Sequence, residues 1–185
     1  MSDLEIKIGG FGGQGVILAG EIIGQAAAIY DGKEATFTRA FGPEARGSTC
    51  SAQVIVSDEK VLYPYVTHPD ILIALSQESY HKFAPELSPR GMLLVESDLV
   101  HVEHPAPEQR VFGIPATRIA EDLGRRIVTN MVMLGFFSAV TEAVAPDAMS
   151  QSIRHSVPKG TEEFNLLAFQ SGYEYGLKEM QKPAD

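Results

Sequence analysis

The sequence predicts an α/β fold, a single three-layer domain over residues 1–185 with a mixed, mainly parallel sheet and a glycine-rich strand–turn–helix at its start. The first indication is the order of a β-prone segment Leu4–Ile8, a run of glycines and an apolar helix Val16–Tyr30. The second is a pair of continuous apolar runs, Pro69–Ser76 and Gly91–Asp98, typical of parallel strands buried on both faces. A chain of 185 residues is within the usual range for one domain.

The region between the first helix and the first apolar run predicts an antiparallel side of the sheet. Lys33–Gly42 and Ser48–Asp58 both have strand character, and Val61–Val66 is a short extended piece after a turn. Because these three segments follow one another with no helix between them, we expect antiparallel pairing at that side.

The rest of the chain is predicted to be mostly helical, with one short strand at Arg110–Ala116. The predicted helices are Gln77–Leu87, Thr117–Gly124, Thr129–Ala145, Pro146–Val157 and a last helix from Thr161 to about Lys182. Gly124 after a helix and Pro146 in a first helical turn are typical boundary residues.

Charge and composition argue against several classes of function. The formal net charge is −9 and no Lys or Arg cluster is present, so proteins or small molecules are the expected partners rather than nucleic acid. The N-terminus lacks the basic region of a signal peptide, and apolar runs such as Met131–Phe137 are shorter than the roughly 20 residues of a membrane span. We therefore expect a cytoplasmic location and no membrane contact.

The reactive side chains predict no catalytic centre in this chain alone. Cys50 is the single cysteine, which excludes an internal disulfide and a cluster held by several thiolates of this chain, and we expect it to be a packed side chain rather than a nucleophile. The five histidines lack the spacing of a metal site. No serine elbow or glycosidase-like carboxylate pair is visible. We expect no metal ion and no catalytic residue.

Gly10, Gly12 and Gly15 match the G-x-G-x-x-G fingerprint of dinucleotide-binding loops, and they stand between a strand and a helix as that motif requires. The acidic residue that binds a ribose is missing, because Thr38 and Arg39 occupy the end of the second strand. Arg39 suits a 2′-phosphate, so nicotinamide binding remains a minority interpretation. A Walker loop is excluded, since no Gly-Lys-Ser/Thr follows the glycines.

The same glycines have two further interpretations. They could only permit close packing of the helix on the strand, or they could bare the backbone to an anion or a neighbouring protein at the positive end of a helix. Gln14, flanked by Gly13 and Gly15, is expected to hold its amide outward at the loop apex. There it would bond a ligand or the backbone of a neighbouring subunit.

A second candidate loop lies within Arg39–Gln53 and combines Gly42, Gly47, a proline and Arg46. The forked guanidinium of Arg46 suits a carboxylate or phosphate on a ligand or an acidic partner. The alternative is an internal pair with Glu44 or a solvated surface arginine.

Two signatures stand in order in the sequence, G-x-G-G-Q-G-V from Gly10 to Val16 and G-P-E-x-R-G from Gly42 to Gly47. Together with the segments PDILIALSQESY, GMLLVESDLV, TNMVMLGFFSAV and VPKGTEEFNLLAF, they resemble the gamma subunit of 2-oxoacid:ferredoxin oxidoreductases. The resemblance extends from about Glu5 to Gly176 and is greatest to the 2-oxoglutarate type. The stretch Ser48–Cys50 departs from the glycine-rich continuation that is usual after the second signature.

This resemblance implies a subunit of a multisubunit enzyme that oxidatively decarboxylates a 2-oxoacid, transfers the acyl group to coenzyme A and passes electrons to ferredoxin. In that family thiamine diphosphate and Mg²⁺ lie between the alpha and beta subunits, and iron–sulfur clusters lie in other chains, such as a ferredoxin-like delta subunit. The resemblance implies that this chain binds none of these cofactors alone, and that it assembles with the thiamine-binding subunits and helps to gate them.

The resemblance also suggests which residues contact coenzyme A or a neighbouring subunit. They are Gly10, Gly12, Gly13, Gln14, Gly15, Arg39, Gly42, Arg46 and Gly47. If the ligand is coenzyme A, then Arg39, Arg46 and the helix N-terminus near Gly15 would provide the positive potential that attracts its phosphates. Two alternatives stay open, an independent NAD(P)- or flavin-binding protein and a non-catalytic scaffold.

Overall fold

A sheet of six strands forms the centre of the protein. The computed structural model describes residues 3–41 and 49–182. In those ranges the strands are β1 Leu4–Phe11, β2 Glu34–Ala40, β3 Thr49–Ser57, β4 Ile71–Ala74, β5 Met92–Glu96 and β6 Arg110–Ile114. The α-helices there are α1 Val16–Gln25, α2 Gln77–Phe83, α3 Ala116–Asp122, α4 Thr129–Thr141, α5 Pro146–Ser156 and α6 Glu162–Met180. A π-helical turn, Ala26–Tyr30, extends α1, and 3₁₀ turns follow α2 at Ala84–Glu86 and precede α4 at Arg126–Val128.

The sheet is mixed and mainly parallel, as predicted. Its strand order is β2-β3-β1-β4-β5-β6. The pairs from β1 through β4 and β5 to β6 are parallel, whereas β3 runs antiparallel to both of its neighbours. In the middle of β3, Gln53 stands opposite Lys7 of β1 on one side and Thr38 of β2 on the other. The predicted antiparallel side is therefore confirmed.

Helices cover both faces of the sheet and make the predicted three layers. Alternate strand residues such as Ile71 and Ile73 face the large layer of α1 and α3–α6, while Leu72 and Ala74 face the smaller layer, which contains α2. Successive side chains of a strand point to opposite faces, so a strand covered on both sides must be apolar throughout. This explains the uninterrupted apolar runs at β4 and β5.

Helix α4 lies at the centre of the large helical layer. Eleven consecutive residues, Asn130–Val140, are buried, which is typical of a helix that other elements surround. Helix α6 crosses it in direct backbone contact, because a Cβ on Gly135 would overlap the Phe169 carbonyl oxygen and a Cβ on Gly172 would overlap that of Val132. None of the helices in residues 3–41 and 49–182 combines the length and apolarity needed to cross a membrane.

The extended piece predicted at Val61–Val66 does not become a strand. Pro64 has no N–H to give to a ladder. The N–H of Val66 donates instead to the side-chain oxygen of Gln53 at 3.1 Å. Since β1 and β2 already pair with both sides of β3, this segment bonds a side chain of β3 and adds no further strand to the described sheet.

Helix α4 also ends earlier than predicted, at Thr141 rather than Ala145. Glu142 takes the left-handed conformation with φ of 52°, which stops helical hydrogen bonding. The Thr141 hydroxyl accepts the next free N–H, that of Ala143, at 3.2 Å. Periodicity alone does not reveal this stop, because the residues after Thr141 are still mostly apolar.

Candidate functional site

The glycine loop Gly10–Gly15 lies at the carboxyl ends of β1 and β4, where the chain connections diverge. Helix α1 leaves β1 on one face of the sheet, and α2 leaves β4 on the other. Open α/β sheets bind their ligands at the carboxyl edge, at the point where connections reverse in this way. The fold therefore puts the loop at the position expected of a binding site.

The tip of this loop presents bare backbone at Gly12 and Gly13. A turn forms the tip, because the N–H of Gln14 donates to the Phe11 carbonyl at 3.1 Å. No described atom lies within 4 Å of the place that a Cβ would take on either glycine. Gly13 also has φ of 94°, a conformation that favours glycine. At Gly12, by contrast, no described neighbour requires the absence of a side chain.

The two inner glycines are required by packing. A Cβ on Gly10 would stand 2.7 Å from Gln14 Oε1 and 2.9 Å from Val16 Cγ2. A Cβ on Gly15 would overlap the side chain of buried Asn130, and Gly15 has φ of 75°. Gly10 and Gly15 therefore fit the interpretation that glycine permits close packing of the helix on the strand. Gly12 and Gly13 at the tip fit the interpretation that bare backbone is exposed for a contact.

The Gln14 side chain turns inward, contrary to the expectation from its place at the loop apex. Its Oε1 accepts the N–H of Phe11 at 2.7 Å, and its Nε2 donates to the Leu75 carbonyl at 2.9 Å. The amide thereby bridges the end of β1 and the residue after β4. Both amide atoms have internal partners because the gap between these two strand ends offers an N–H and a carbonyl at the right separation.

Arg39 is separated from the glycine loop by β3. It lies on β2, two strand spacings or about 10 Å from β1. Its guanidinium lies over the Phe41 ring, 5.8 Å from the ring centroid. The other predicted contacts of the second loop, Gly42, Arg46 and Gly47, lie outside the described residues and remain predictions.

A cleft of about 280 Å³ opens beside the tip of the glycine loop. Its walls are Gly13, Gln14, Thr117, Arg126, Ile127 and Thr129. Ile127 is 79% exposed despite its size and apolar character. Arg126 reaches Glu121 only at 3.8 Å, between two exposed side chains, a pairing that contributes little. The cleft thus offers an available cation and an available apolar side chain.

Sequence interpretation missed four of these residues. Thr117 comes shortly after the end of β6. Because ligands of open α/β sheets bind at the carboxyl ends of the strands, this position was a signal that could have located it. Arg126 and Ile127 lie in the 3₁₀ turn between α3 and α4, Thr129 begins α4, and none of the three belongs to a recognisable motif. Only tertiary packing, of α4 against α3 and of Asn130 against Gly15, brings them beside Gly13.

Two helices begin near the cleft, and neither N-cap residue caps its helix with a side chain. Helix α4 continues from the 3₁₀ turn Arg126–Val128, and Asn130 Oδ1 accepts the N–H of Met131 in its first turn at 3.0 Å. The N-cap of α1 is Gly15 and the N-cap of α4 is Val128, and neither first turn contains an acidic residue. The positive ends of both helix dipoles are therefore left without a compensating carboxylate from the cap or the first turn. Such an edge favours a negatively charged group.

Glu96 ends β5 and is fully buried close to the same edge of the sheet. Its Oε1 accepts the N–H of Asp98 at 3.3 Å, and no described group bonds its Oε2. Burial raises the pKa of this carboxyl, and the Asp98 charge raises it further, whereas the nearby polar groups of Asp98 and Thr117 lower it. Glu96 thus stands behind Thr117, on the inner side of the cleft wall.

Cys50 is buried on the large helical face of β3. Burial raises the pKa of its thiol, which disfavours the reactive thiolate. The structure therefore supports its interpretation as a packed side chain. Within residues 3–41 and 49–182, no three His, Cys, Asp or Glu side chains come together in a way that could hold a metal ion.

Comparison with known proteins relates this architecture to one family. Residues 5–175 match the family model of pyruvate ferredoxin/flavodoxin oxidoreductase. Over 172 residues the chain is 49% identical to the 2-oxoglutarate synthase subunit KorC of Methanocaldococcus jannaschii, and the match covers 92% of each chain. A solved keto/oxoacid ferredoxin oxidoreductase gamma subunit from Geobacter sulfurreducens PCA has a TM-score of 0.84 and 40% identity, covering 95% of this chain and 99% of that one.

A longer solved chain contains the same architecture as one part. It belongs to the 2-oxoglutarate:ferredoxin oxidoreductase from Magnetococcus marinus, in a structure with 2-oxoglutarate, coenzyme A and succinyl-CoA bound. The TM-score is 0.86 with 25% identity, over 100% of this chain but 32% of the Magnetococcus chain. The matched architecture is thus free-standing in some relatives and fused to other sequence in another.

Proposed function

The chain belongs to the pyruvate ferredoxin/flavodoxin oxidoreductase family, and from this premise we propose that it is the gamma subunit of a 2-oxoglutarate:ferredoxin oxidoreductase. The observation that carries the proposal is the 49% identity with the Methanocaldococcus 2-oxoglutarate synthase subunit over 92% of each chain. The family resemblance inferred from the sequence is confirmed. The reaction of the complex is the oxidative decarboxylation of 2-oxoglutarate, with transfer of the acyl group to coenzyme A and of electrons to ferredoxin.

The residues of this chain do not fit the redox cofactor of such a complex. An iron–sulfur cluster is held by several cysteine thiolates. This chain has one cysteine, which is buried on the sheet. We therefore assign the cluster to a ferredoxin-like delta subunit and thiamine diphosphate with Mg²⁺ to the alpha and beta subunits. In this proposal the chain contributes surface to the assembly and helps to gate the thiamine-binding subunits.

The glycine-loop edge is the proposed contact with coenzyme A or a neighbouring subunit. Gly12 and Gly13 offer bare backbone, while Gly10, Gln14 and Gly15 hold the loop in place. The cleft adds the N-terminus of α1, whose cap residue is Gly15, and the Arg126 guanidinium, a combination that suits the phosphates of coenzyme A. We also keep as proposed contacts the second-loop residues Gly42, Arg46 and Gly47, together with Arg39 on β2.

An independent nicotinamide or flavin enzyme is disfavoured by the residues at the end of the second strand. The acidic residue that would bind a ribose is expected there. Thr38 and Arg39 occupy that position on β2, and Arg39 lies over the Phe41 ring. The dinucleotide fingerprint is therefore incomplete in this chain.

Reconstitution of the complex tests the proposed function. The chain is purified alone, and the remaining subunits are purified with and without it. We expect 2-oxoglutarate- and coenzyme A-dependent reduction of ferredoxin from the full set, and little or none from either part. Turnover by the isolated chain, or full activity of the remaining subunits without it, would refute the proposal.

A matched pair of variants tests the contact with coenzyme A. Arg126→Gln removes the cation of the cleft, whereas Arg154→Gln removes an exposed arginine that pairs with Glu163 on the far helices. We expect the first to raise the KM for coenzyme A about 5-fold, the effect of a contact of about 1 kcal/mol, and the second to leave it unchanged. If Arg126→Gln had the wild-type KM for coenzyme A but assembled more weakly, the chain would be a non-catalytic scaffold without a contact to coenzyme A.

A further inference from the structure

Glu96 is a buried carboxyl group that packing of the fold does not explain. It is the last residue of β5 and lies on the large helical face, where the same strand presents Met92 and Leu94. Glu96 is 0% exposed. A buried polar group costs free energy unless it is hydrogen-bonded, so an acid at this position is a candidate for a functional role.

The surroundings of Glu96 engage one oxygen of the carboxyl group and leave the other open. Oε1 accepts the N–H of Asp98 at 3.3 Å, whereas no described group bonds Oε2. The turn after β5 closes on the same residue, because the N–H groups of Leu99 and Val100 donate to the Glu96 carbonyl at 3.1 and 2.9 Å. Oε2 is therefore the oxygen available for a further hydrogen bond.

Thr117 connects this carboxyl group to the cleft. Glu96 pairs with Ile114 at the end of β6, and Thr117 follows three residues later. The polar groups of Thr117 lie near the Glu96 carboxyl group. Thr117 is 9% exposed and forms part of the cleft wall beside Gly13. It is thus within reach of both the buried acid and a ligand in the cleft.

The hydroxyl group of Thr117 has a single proton to donate, and the charge of Glu96 determines where that proton points. If Glu96 is neutral, the O–H at Oε2 donates to the Thr117 oxygen, and the Thr117 proton is free for a ligand. If Glu96 is ionised, the buried carboxylate takes the Thr117 proton, and a lone pair of the hydroxyl group faces the cleft. The first arrangement favours an anionic ligand, and the second disfavours it.

The groups around Glu96 favour its neutral form. The titratable side chains on the neighbouring elements are Asp98 after β5, Arg118 and Asp122 on α3, Arg126 before α4 and Tyr175 on α6. Helix α4 contains no ionisable residue. Burial chiefly, and the Asp98 charge in addition, raise the pKa of Glu96. Arg118 is already engaged by Asp98, which accepts hydrogen bonds from its Nε and Nη2.

We propose that Glu96 is a positioning residue for the proposed contact with coenzyme A: in its neutral form it directs the hydroxyl proton of Thr117 into the cleft, toward a phosphate oxygen of the ligand. The inference rests on the proposed function, because it takes coenzyme A as the ligand of the cleft. Glu96 acts through Thr117 and does not itself touch the ligand. Ionisation of Glu96 at higher pH reverses the hydroxyl group and weakens binding.

Glu96→Gln tests the direction of the hydroxyl group. Because Oε1 already accepts the Asp98 N–H, the amide nitrogen of the variant takes the place of Oε2 and donates to Thr117 at every pH. In the reconstituted complex, we expect the ratio of the wild-type KM for coenzyme A to the variant KM to rise from about 1 at about pH 5 to about 3–10 at about pH 8, as the wild type loses one hydrogen bond to the ligand. The ionisations of coenzyme A itself cancel in this ratio.

Two further variants serve as controls. Glu163→Gln removes an exposed carboxylate that pairs with Arg154 on the far helices, and we expect it to keep the wild-type KM at every pH. Thr117→Val removes the hydroxyl group, so Glu96→Gln should no longer change the KM in that background. If Glu96→Gln changes the KM equally with and without the hydroxyl group, its charge acts on the ligand directly and the proposal is wrong.

A second measurement requires neither ligand nor partner subunits. The methyl resonance of Thr117 is followed by NMR in the ¹³C-labelled full chain over the same pH range, with Thr117→Val for its assignment. We expect it to shift with pH in wild type and in Glu163→Gln, and to stay constant in Glu96→Gln. A resonance that does not shift in wild type, or that shifts equally in Glu96→Gln, would overturn the proposal. Circular dichroism monitors the folding of each variant.

The two measurements distinguish the possible failures. If the complex is inactive while the Thr117 resonance titrates as expected, the proposed function fails and the link between Glu96 and Thr117 stands. If the complex is active and Arg126→Gln raises the KM for coenzyme A, but the KM ratio for Glu96→Gln does not change with pH, only this inference fails.

Discussion

Glycine has opposite uses at the α4–α6 crossing and at the tip of the β1–α1 loop. At the crossing, Gly135 and Gly172 let two helix backbones of the same protein touch. At the tip, Gly12 and Gly13 have no described neighbour within 4 Å of a Cβ position. In the first region the partner of the bare backbone is internal. In the second, no described internal group takes that role, and another molecule is the proposed partner.

The comparison teaches that a glycine motif contains more than one kind of site. In the glycine loop, Gly10 and Gly15 have close internal neighbours, as the glycines of the α4–α6 crossing do. Gly12 and Gly13 have no such described neighbours. A motif match alone treats all four alike. The surroundings of each Cα distinguish the residues that maintain the fold from the residues available for contact.

The largest expected effect is at the crossing. Gly135→Ala and Gly172→Ala each force a methyl group onto a carbonyl of the facing helix, which cannot rotate away as a side chain can. We expect a loss of about 3 kcal/mol or more in the free energy of unfolding, and a Tm lower by about 6–12 °C. Thermal denaturation followed by circular dichroism measures it. Wild-type Tm values would show that the two helices are farther apart than described.

The inner loop glycine should show a smaller loss. Gly15→Ala places an alanine at φ of 75° and displaces the buried Asn130 side chain, whose Nδ2 donates to the Gly15 carbonyl at 3.4 Å. We expect a loss of about 2–3 kcal/mol from backbone strain and a weakened hydrogen bond. Urea denaturation gives the value. A loss below that of Gly13→Ala would remove the distinction between inner and outer glycines.

The outer glycine should separate stability from function. Gly13→Ala and Gly160→Ala replace glycines with similar φ, 94° and 87°, and neither new methyl group meets a described atom within 4 Å. We expect each to lose about 1 kcal/mol by backbone strain. Only Gly13→Ala should also raise the KM for coenzyme A or weaken assembly of the complex. If Gly13→Ala and Gly160→Ala had the same KM for coenzyme A and assembled equally well, the loop tip would contact neither coenzyme A nor a neighbouring subunit.

The smallest expected effect concerns Glu96, behind the cleft wall. Its folded pKa is raised above the ordinary value of 4.5, chiefly by burial, so the folded state holds the proton more tightly than the unfolded state. The stability contributed by this group is therefore fully present at acidic pH and is lost as the pH rises through the folded pKa.

Glu96→Gln should isolate this dependence. The variant keeps a neutral side chain of the same shape, so its Tm relative to wild type should increase from pH 4 toward pH 7. Asp98, Arg118 and Asp122 are present in both proteins, and their titration largely cancels in the difference. A Tm difference independent of pH would show that Glu96 is not buried as described.

The fold could be predicted from the sequence largely because its strands are unambiguous. The runs at β4 and β5 are apolar throughout, and the hairpin-like order of β2 and β3 indicates antiparallel pairing. The exceptions were local: no strand forms at Val61–Val66, where Pro64 lacks an N–H for a ladder, and α4 ends at Thr141, before the left-handed Glu142. Both depend on single residues that a periodic pattern does not weigh.

The candidate site could be predicted only in part. The glycine loop was visible because its residues are consecutive. The inward turn of Gln14 depends on the Leu75 carbonyl, 61 residues away, and the cleft depends on a turn between two helices. Such arrangements arise from tertiary packing and leave no pattern along the chain.

The bridge that Gln14 makes between the strand ends has a consequence for the kinetics of assembly. Because the amide holds the loop in one shape before anything arrives, encounter need not wait for the loop to become ordered. Association would then be a single bimolecular step whose rate follows ionic strength and viscosity, and removal of the amide would introduce a slow unimolecular phase that is independent of concentration.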